Sequence, residues 1–465
     1  MRNRNVVTRG VVGAALFILT LVGADYARGE NKSTTPTISE EDFPYPPSLR
    51  PQVEFWKAIF ADYSKFHVVL HDTKTLAVYK VLDFQRLLTE EGLDEATVYQ
   101  VKKEQTKIEM ESLRARLLKL QQCNPNCSDL TTEEQSVWNL YRKDRDPEKF
   151  LLAADEDRLR SQTGMKDQFA EAIRISRRYL KSMEAIFVRE GVPPELTRLP
   201  FIESSFNLQA FSKVGAAGIW QFMPSTGRLY NMRINHLVDE RRDPLMASEA
   251  AAKFLKANYE MLGTWPLAIT AYNHGPGGLA TAVEEMGTSD IGTIIRRYKG
   301  DRFGFASRNF YPEFLAALMV EKNSQDHFGI IHAEAPIIHD EIALEAAVPL
   351  GVAARLAAVD EDSLIFLNPA FGSAVRGGRA SIPRNYDLRI PSGTAVGFLK
   401  NYEAWQEEER VRAAALRAKR AARAAVARVH RKSGKTVIAK AKGEKRGSVR
   451  QVARAATITE TVRIR

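Results

Sequence analysis

Three strings in this chain combine residue types that could do chemistry: LPFIESSFN at 199–207, SKVGAAGIWQFMPST at 212–226 and AYNHGPGG at 271–278. The one carboxylate in all three is Glu203. Leu199, Ile202 and Phe206 recur around it at helical offsets, so its helix sets apolar residues on both sides of the carboxyl. Partial burial disfavours ionisation, and a carboxyl that stays protonated near neutral pH can act as a general acid. A lone helical glutamate is usually just solvated, but the company of Glu203 is unusual. Gly215 and Gly218 suit a tight turn leading to a groove wall, with Trp220, Gln221 and Met223 beside them. Tyr272 offers a ring face and Asn273 an amide before a glycine-rich break. Aromatic faces, amides and hydroxyls are suited to holding a sugar that bears N-acetyl groups.

The elements that must position these residues are mostly helical. From about Met165 to Leu318 helix signals are dense, and the clearest is 243–262. There Asp243 can cap and Pro244 suits the first turn, while Ala247, Ala251, Phe254, Leu255, Asn258 and Leu262 line one face. Capping accounts for Asp243 better than a role as a second catalytic acid. Upstream, Phe55, Trp56, Ile59, Phe60 and Tyr63 lie at helical spacing, HVVLHD at 67–72 reads as a short strand, and 94–122 reads as a long charged helix. A second helix from about Thr131 to Tyr141 suggests a helical hairpin across CNPNC.

With these strings in this order, residues 165–331 resemble the lytic transglycosylase catalytic domain of glycoside hydrolase family 23, in the plan of the membrane-bound murein transglycosylases. The shared pattern is Glu203-Ser204, Ser212, the run from Gly215 to Thr226 with Gln221 and Met223, and Ala271 to Gly275. The resemblance implies a mainly α, lysozyme-like (goose-type, SLT) domain that cleaves peptidoglycan glycan strands without cofactor or metal. Glu203 would protonate the β-1,4 oxygen between N-acetylmuramic acid and N-acetylglucosamine while the substrate's own acetamido oxygen assists. The ionised Glu203 would then take the C6 hydroxyl proton as a 1,6-anhydro ring closes. Such assistance explains why the strings hold no second acid. Ser204, Ser212, Gln221, Met223, Tyr272 and Asn273 would line or position the substrate. The family also carries a Glu and, four residues on, a Tyr near the domain end, whereas this chain has Ala306 and Phe310. Tyr311 is adjacent, but one residue turns a helical side chain by about 100°. Two rivals remain: a lysozyme-like muramidase, which would need a second acid to position water, and a catalytically idle peptidoglycan-binding protein.

The 465 residues allow further modules, and the net charge of +10 is unevenly spread. Residues 410–465 hold 18 Lys and Arg against 2 Glu, so residues 1–409 carry a net −6. Residues 1–24 read as an export signal, with Arg2, Arg4 and Arg9 before an apolar run and small residues at Val22-Gly23-Ala24. Retention of that run as an anchor is the alternative to cleavage. Export, to the periplasm or cell envelope, favours a Cys123–Cys127 disulfide over free thiols, and no Cys or His lies near enough in sequence to complete a zinc site. The remaining divisions are a linker at 25–51, a helical N-terminal region at 52–164, a small LysM-like module at 332–402 and a basic tail at 403–465. Residues 340–395 read as strand, two helices and strand, and Ser433-Gly434-Lys435-Thr436 sits where a second degenerate LysM unit would open. Peptidoglycan is the expected partner. The tail suits an anionic wall polymer or membrane surface, and export disfavours nucleic acid.

Overall fold

The computed structural model describes residues 40–459, with side chains placed over residues 40–428. The expected export signal lies outside the described residues. Helices dominate, and among the described residues there are five strands: β1 His67–Asp72, β2 Val78–Asp83, β3 Leu159–Thr163, β4 His339–Ala343 and β5 Asp387–Pro391. Three hydrophobic clusters organise them.

The largest cluster gathers helices Arg50–Ala61, Pro244–Leu262, Trp265–His274 and Phe305–Lys322 around Trp220, Phe201 and Phe314. Asp243 caps the second of these by accepting from the Leu245 and Met246 amides, at 3.0 and 3.1 Å, and Gly263 ends it in the left-handed conformation. Two expectations change here. The end of the 25–51 segment is not a free linker, since Phe43 is buried edge-on to Phe314 and Pro44 accepts the Tyr311 hydroxyl at 2.7 Å. Helix Arg50–Ala61 packs on Phe305–Lys322 in this same core rather than in a separate N-terminal one. Its face of Val53, Trp56, Ile59 and Phe60 is too apolar to leave uncovered.

The second cluster shows that the N-terminal region is not wholly helical. β2, β1 and β3 pair antiparallel in that order under helix Glu95–Cys123. That helix starts at an Asp94 cap, and the next, Thr132–Leu140, starts with a Thr131/Glu134 capping box. A Cys123–Cys127 disulfide closes the turn between them. Asp72 is fully buried; it pairs with Arg158 at 2.5 Å and accepts from Tyr141 at 2.9 Å. Burial works against its charge, but the Arg158 guanidinium and the hydrogen bonds prevail and hold the carboxyl below the usual range.

The third cluster covers β4, helices Leu350–Leu356, Glu361–Leu367 and Ser373–Arg376, and β5, with β4 and β5 antiparallel. It is tied to the largest core by a buried Arg389–Asp243 pair at 2.5 Å and by the Asp239 amide donating to Ala370 at 2.8 Å. A cavity of about 430 Å³ lined by Phe366, Leu367, Pro391 and Ser392 opens on this module, away from Glu203. The chain then continues as one helix, Ala395–Thr459. The second LysM unit expected near Ser433 is therefore not formed: the segment is helical through Thr459. Ala, Arg and Lys favour helix.

Candidate active site

Helix Leu199–Ser204 is only six residues long and is held from beneath by Leu199, Pro200 and Phe201, all buried. Phe201 stacks on Phe169 with centroids 5.0 Å apart and meets Phe206 edge-on at 4.8 Å. The chain leaves this helix through two left-handed residues, Ser205 at φ 51° and Phe206 at φ 53°. Gln221, in the facing loop, is also left-handed at φ 49°. Such conformations are costly for residues with side chains and persist where packing fixes them, often at functional sites. Here they turn the chain sharply on both sides of the recess that holds Glu203.

The Gly215–Phe222 loop is fixed by close approach. Gly218 sits at φ 76°, and a Cβ there would lie 1.8 Å from the Arg241 carbonyl oxygen. The Arg241 guanidinium donates to the carbonyls of Gly215 at 2.7 Å and Phe222 at 3.0 Å while pairing with Asp239 at 2.7 Å. Trp220 is fully buried, stacked on Phe187 and donating to the Ser248 hydroxyl at 2.9 Å.

Side-chain hydroxyls join the three strings. Ser204 donates to the Ile219 carbonyl at 2.9 Å, and Tyr272 donates to the next carbonyl, Trp220, at 2.9 Å. Ser204 and Tyr272 thus clamp consecutive residues of the loop beside Glu203. The Tyr272 ring packs against Trp220, Phe222, Phe254 and Phe310. Ser212 accepts from the Ala216 amide at 2.9 Å and braces its own turn. Gln221 donates to the Gly218 carbonyl at 2.8 Å, and among the described residues its amide oxygen is unengaged. Met223 is 38% exposed at the cap of helix Pro224–Leu229, and Asn273 is exposed, its oxygen accepting from Ser307 at 3.2 Å.

Glu203 keeps a solvent-facing edge, and no hydrogen bond or ion pair joins it to another of the described residues. Protein encloses enough of it that burial alone pushes its carboxyl up to about 8. Tyr272 is pushed far above the usual phenol range, by burial first and then by the Glu203 charge, so its hydroxyl stays neutral.

The three strings hold one carboxyl, and the fold brings a second one near it. Helix Phe305–Lys322 packs against Leu199–Ser204 and brings Glu313 within electrostatic reach of Glu203. Burial, then the charge of Glu203, pushes the Glu313 carboxyl well above the ordinary range, with Arg160 of β3 acting weakly in the opposite sense. Glu313 lies outside the three strings, but the phase of its helix was legible: positions 306, 310 and 313 share one face. Arg241 carried no comparable sequence signal.

A carboxyl held protonated in a recess walled by amides, hydroxyls and aromatic rings is equipped to act as a general acid. Residues 183–295 match the family model described as the transglycosylase SLT domain. Over 145 residues the chain is 32% identical to membrane-bound lytic murein transglycosylase D of Escherichia coli, in two strains. That match covers 30% of this chain and 30% of the relative. A solved structure of an inactive mutant of the lytic transglycosylase Slt of Pseudomonas aeruginosa aligns with 47% of this chain and 37% of its own, at 15% identity and a TM-score of 0.29.

Proposed function

We propose that this protein is a peptidoglycan lytic transglycosylase, cutting between N-acetylmuramic acid and N-acetylglucosamine and leaving 1,6-anhydromuramyl ends. The observation that carries this is Glu203: unpaired, reaching solvent, and held protonated to about pH 8 within an SLT domain. As the acid it gives its proton to the glycosidic oxygen. The substrate's acetamido oxygen meets the developing positive charge at the anomeric carbon, so no protein nucleophile is required. The resulting Glu203 carboxylate then takes the C6 hydroxyl proton and is restored to its acid form. Gln221, Met223 and Asn273, which present unengaged or exposed atoms, contact the sugars. Ser204, Ser212 and Tyr272 hold the loop and the catalytic helix in register.

Hydrolysis as by a muramidase is the second reading, because Glu313 supplies a second carboxyl near Glu203. It fits less well. A base that activates water must be ionised, and burial together with the Glu203 charge keeps Glu313 neutral.

The protein would act in the cell envelope after export. The module spanning β4 to β5 and the exposed basic helix beyond it would hold the enzyme on glycan chains and on an anionic wall or membrane surface respectively. Incubating the full chain and Glu203→Gln with purified sacculi tests the catalytic reading. Soluble muropeptides should appear with the wild type and fall by about a thousandfold or more with the variant, as for loss of a general acid. Equal release from both would refute it.

A further inference from the structure

Helix Phe305–Lys322 lies along the catalytic helix, and its face toward the site carries Ala306, Phe310 and Glu313. Ala306 has no polar atom. Phe310 is buried with its ring parallel to Tyr272, centroids 6.4 Å apart and planes 6° from coplanar, and it too offers no polar atom. Glu313 is the next residue round on that face, half-buried between buried Pro312 and Phe314, and no hydrogen bond or ion pair joins it to another of the described residues. A half-buried carboxyl left unpaired beside a second unpaired carboxyl is an expensive arrangement unless it is used.

Other charged groups on the elements packed against this helix are engaged elsewhere. Arg198 pairs with Glu184 and Glu321, Lys57 pairs with Glu54, and His274 meets the Ser307 hydroxyl at 3.1 Å. Tyr272 spends its hydroxyl proton on the Trp220 carbonyl. Arg160 lies 4.5 Å above the Phe305 ring at the start of the same helix. Among these charged and phenolic groups, the carboxylic O–H of Glu313 is the donor left uncommitted on the helix that packs against Glu203.

We propose that Glu313 is a positioning residue for the reaction: as a neutral carboxylic acid it donates a hydrogen bond to Glu203 whenever Glu203 is ionised. This inference rests on the transglycosylase reading. The proton inventory closes without any other group. Glu203 loses its proton to the leaving oxygen, the new carboxylate accepts the Glu313 O–H without taking that proton, and the C6 hydroxyl proton then returns to Glu203. Two carboxylates so placed would repel, so the charge of Glu203 itself keeps Glu313 protonated through the step. The donor lowers the cost of the ionised intermediate in a recess where burial otherwise penalises it. It also fits the absence of any polar atom at Ala306 and Phe310, since one turn further along the same face supplies it.

The test compares the full-length wild type with Glu313→Gln and Glu313→Leu in two measurements: kinetics on sacculi, and the carbon-13 titration of the Glu203 carboxyl, assigned by its loss in Glu203→Gln. Glutamine keeps a neutral donor and leucine keeps only the bulk. Loss of a hydrogen bond to a charged group predicts about a tenfold to hundredfold fall in kcat for leucine, with KM within about twofold and glutamine within about threefold of wild type. The Glu203 midpoint should rise by about one pH unit in the leucine variant and move by less than about half that in the glutamine variant. Glutamine as impaired as leucine, or a Glu203 midpoint unmoved by leucine, would overturn the proposal. If the wild type releases nothing from sacculi, the transglycosylase reading fails, and the titration still decides whether Glu313 serves Glu203.

Discussion

Replacing Glu203 by glutamine should make the protein more stable, and increasingly so as pH rises. Glutamine preserves shape and a neutral polar group, and it removes only the capacity to ionise. Burial raises the folded-state value from an ordinary 4.5 to about 8, so the folded protein binds this proton more tightly than the unfolded chain does. The stability conferred by that tighter binding is fully present below about pH 4.5 and is lost as pH rises towards 8. At about 1.4 kcal/mol per tenfold change in proton affinity, the full shift corresponds to roughly 4–5 kcal/mol. Glu203 keeps a solvent-facing edge, and screening there reduces the expectation to about 2–4 kcal/mol. Urea unfolding followed by tryptophan fluorescence suits the measurement, since Trp56, Trp220 and Trp265 are buried in this core. The wild-type and variant midpoints should nearly coincide near about pH 4.5 and separate by about 2–4 kcal/mol near about pH 9. A difference that stays constant with pH, within about 0.5 kcal/mol, would refute the burial of an ionisable Glu203.

Other positions give sharp expectations. Gly218→Ala should cost about 2 kcal/mol or more and depress activity, because the new methyl would collide with the Arg241 carbonyl; a melting temperature unchanged from wild type would contradict this. Arg389→Met would strand the buried Asp243 carboxylate, costing about 3–5 kcal/mol and exposing residues 332–402 to trypsin, whereas unchanged proteolysis would mean that the pair does not hold the module. Deleting residues 410–465 removes the densest positive charge, so retention on anionic vesicles or wall polymer should fall while turnover of short soluble glycans stays within about twofold. Undiminished retention would remove the tail from the account.

The sequence carried the site further than the frame. Glu203 was legible because its flanks repeat at helical offsets, and Asp243 because a cap followed by proline and an apolar stripe has few other readings. Ser204 and Tyr272 were legible as members of the site but not in their actual work, since the hydroxyl bonds to Ile219 and Trp220 depend on how distant segments meet. β1 was visible through its Val-Val-Leu run, whereas β3 is mostly polar, and the pairing with β1 is what reveals β2 and β3. Phe43 lay hidden in a proline-rich stretch because nothing local shows that it will meet Phe314. Glu313 lies outside the three strings, although its helical phase relative to Ala306 and Phe310 places it on their face.

The central claim, that Glu203 works alternately as acid and base on a substrate that closes on its own C6 oxygen, can be tested by the origin of one oxygen atom. Sacculi digested by the full chain in water enriched in oxygen-18 should yield muramyl ends that carry no label and weigh about 18 Da less than reducing ends, because no water adds in a substrate-assisted ring closure. Reducing ends that carry oxygen-18 would contradict it and establish hydrolysis instead.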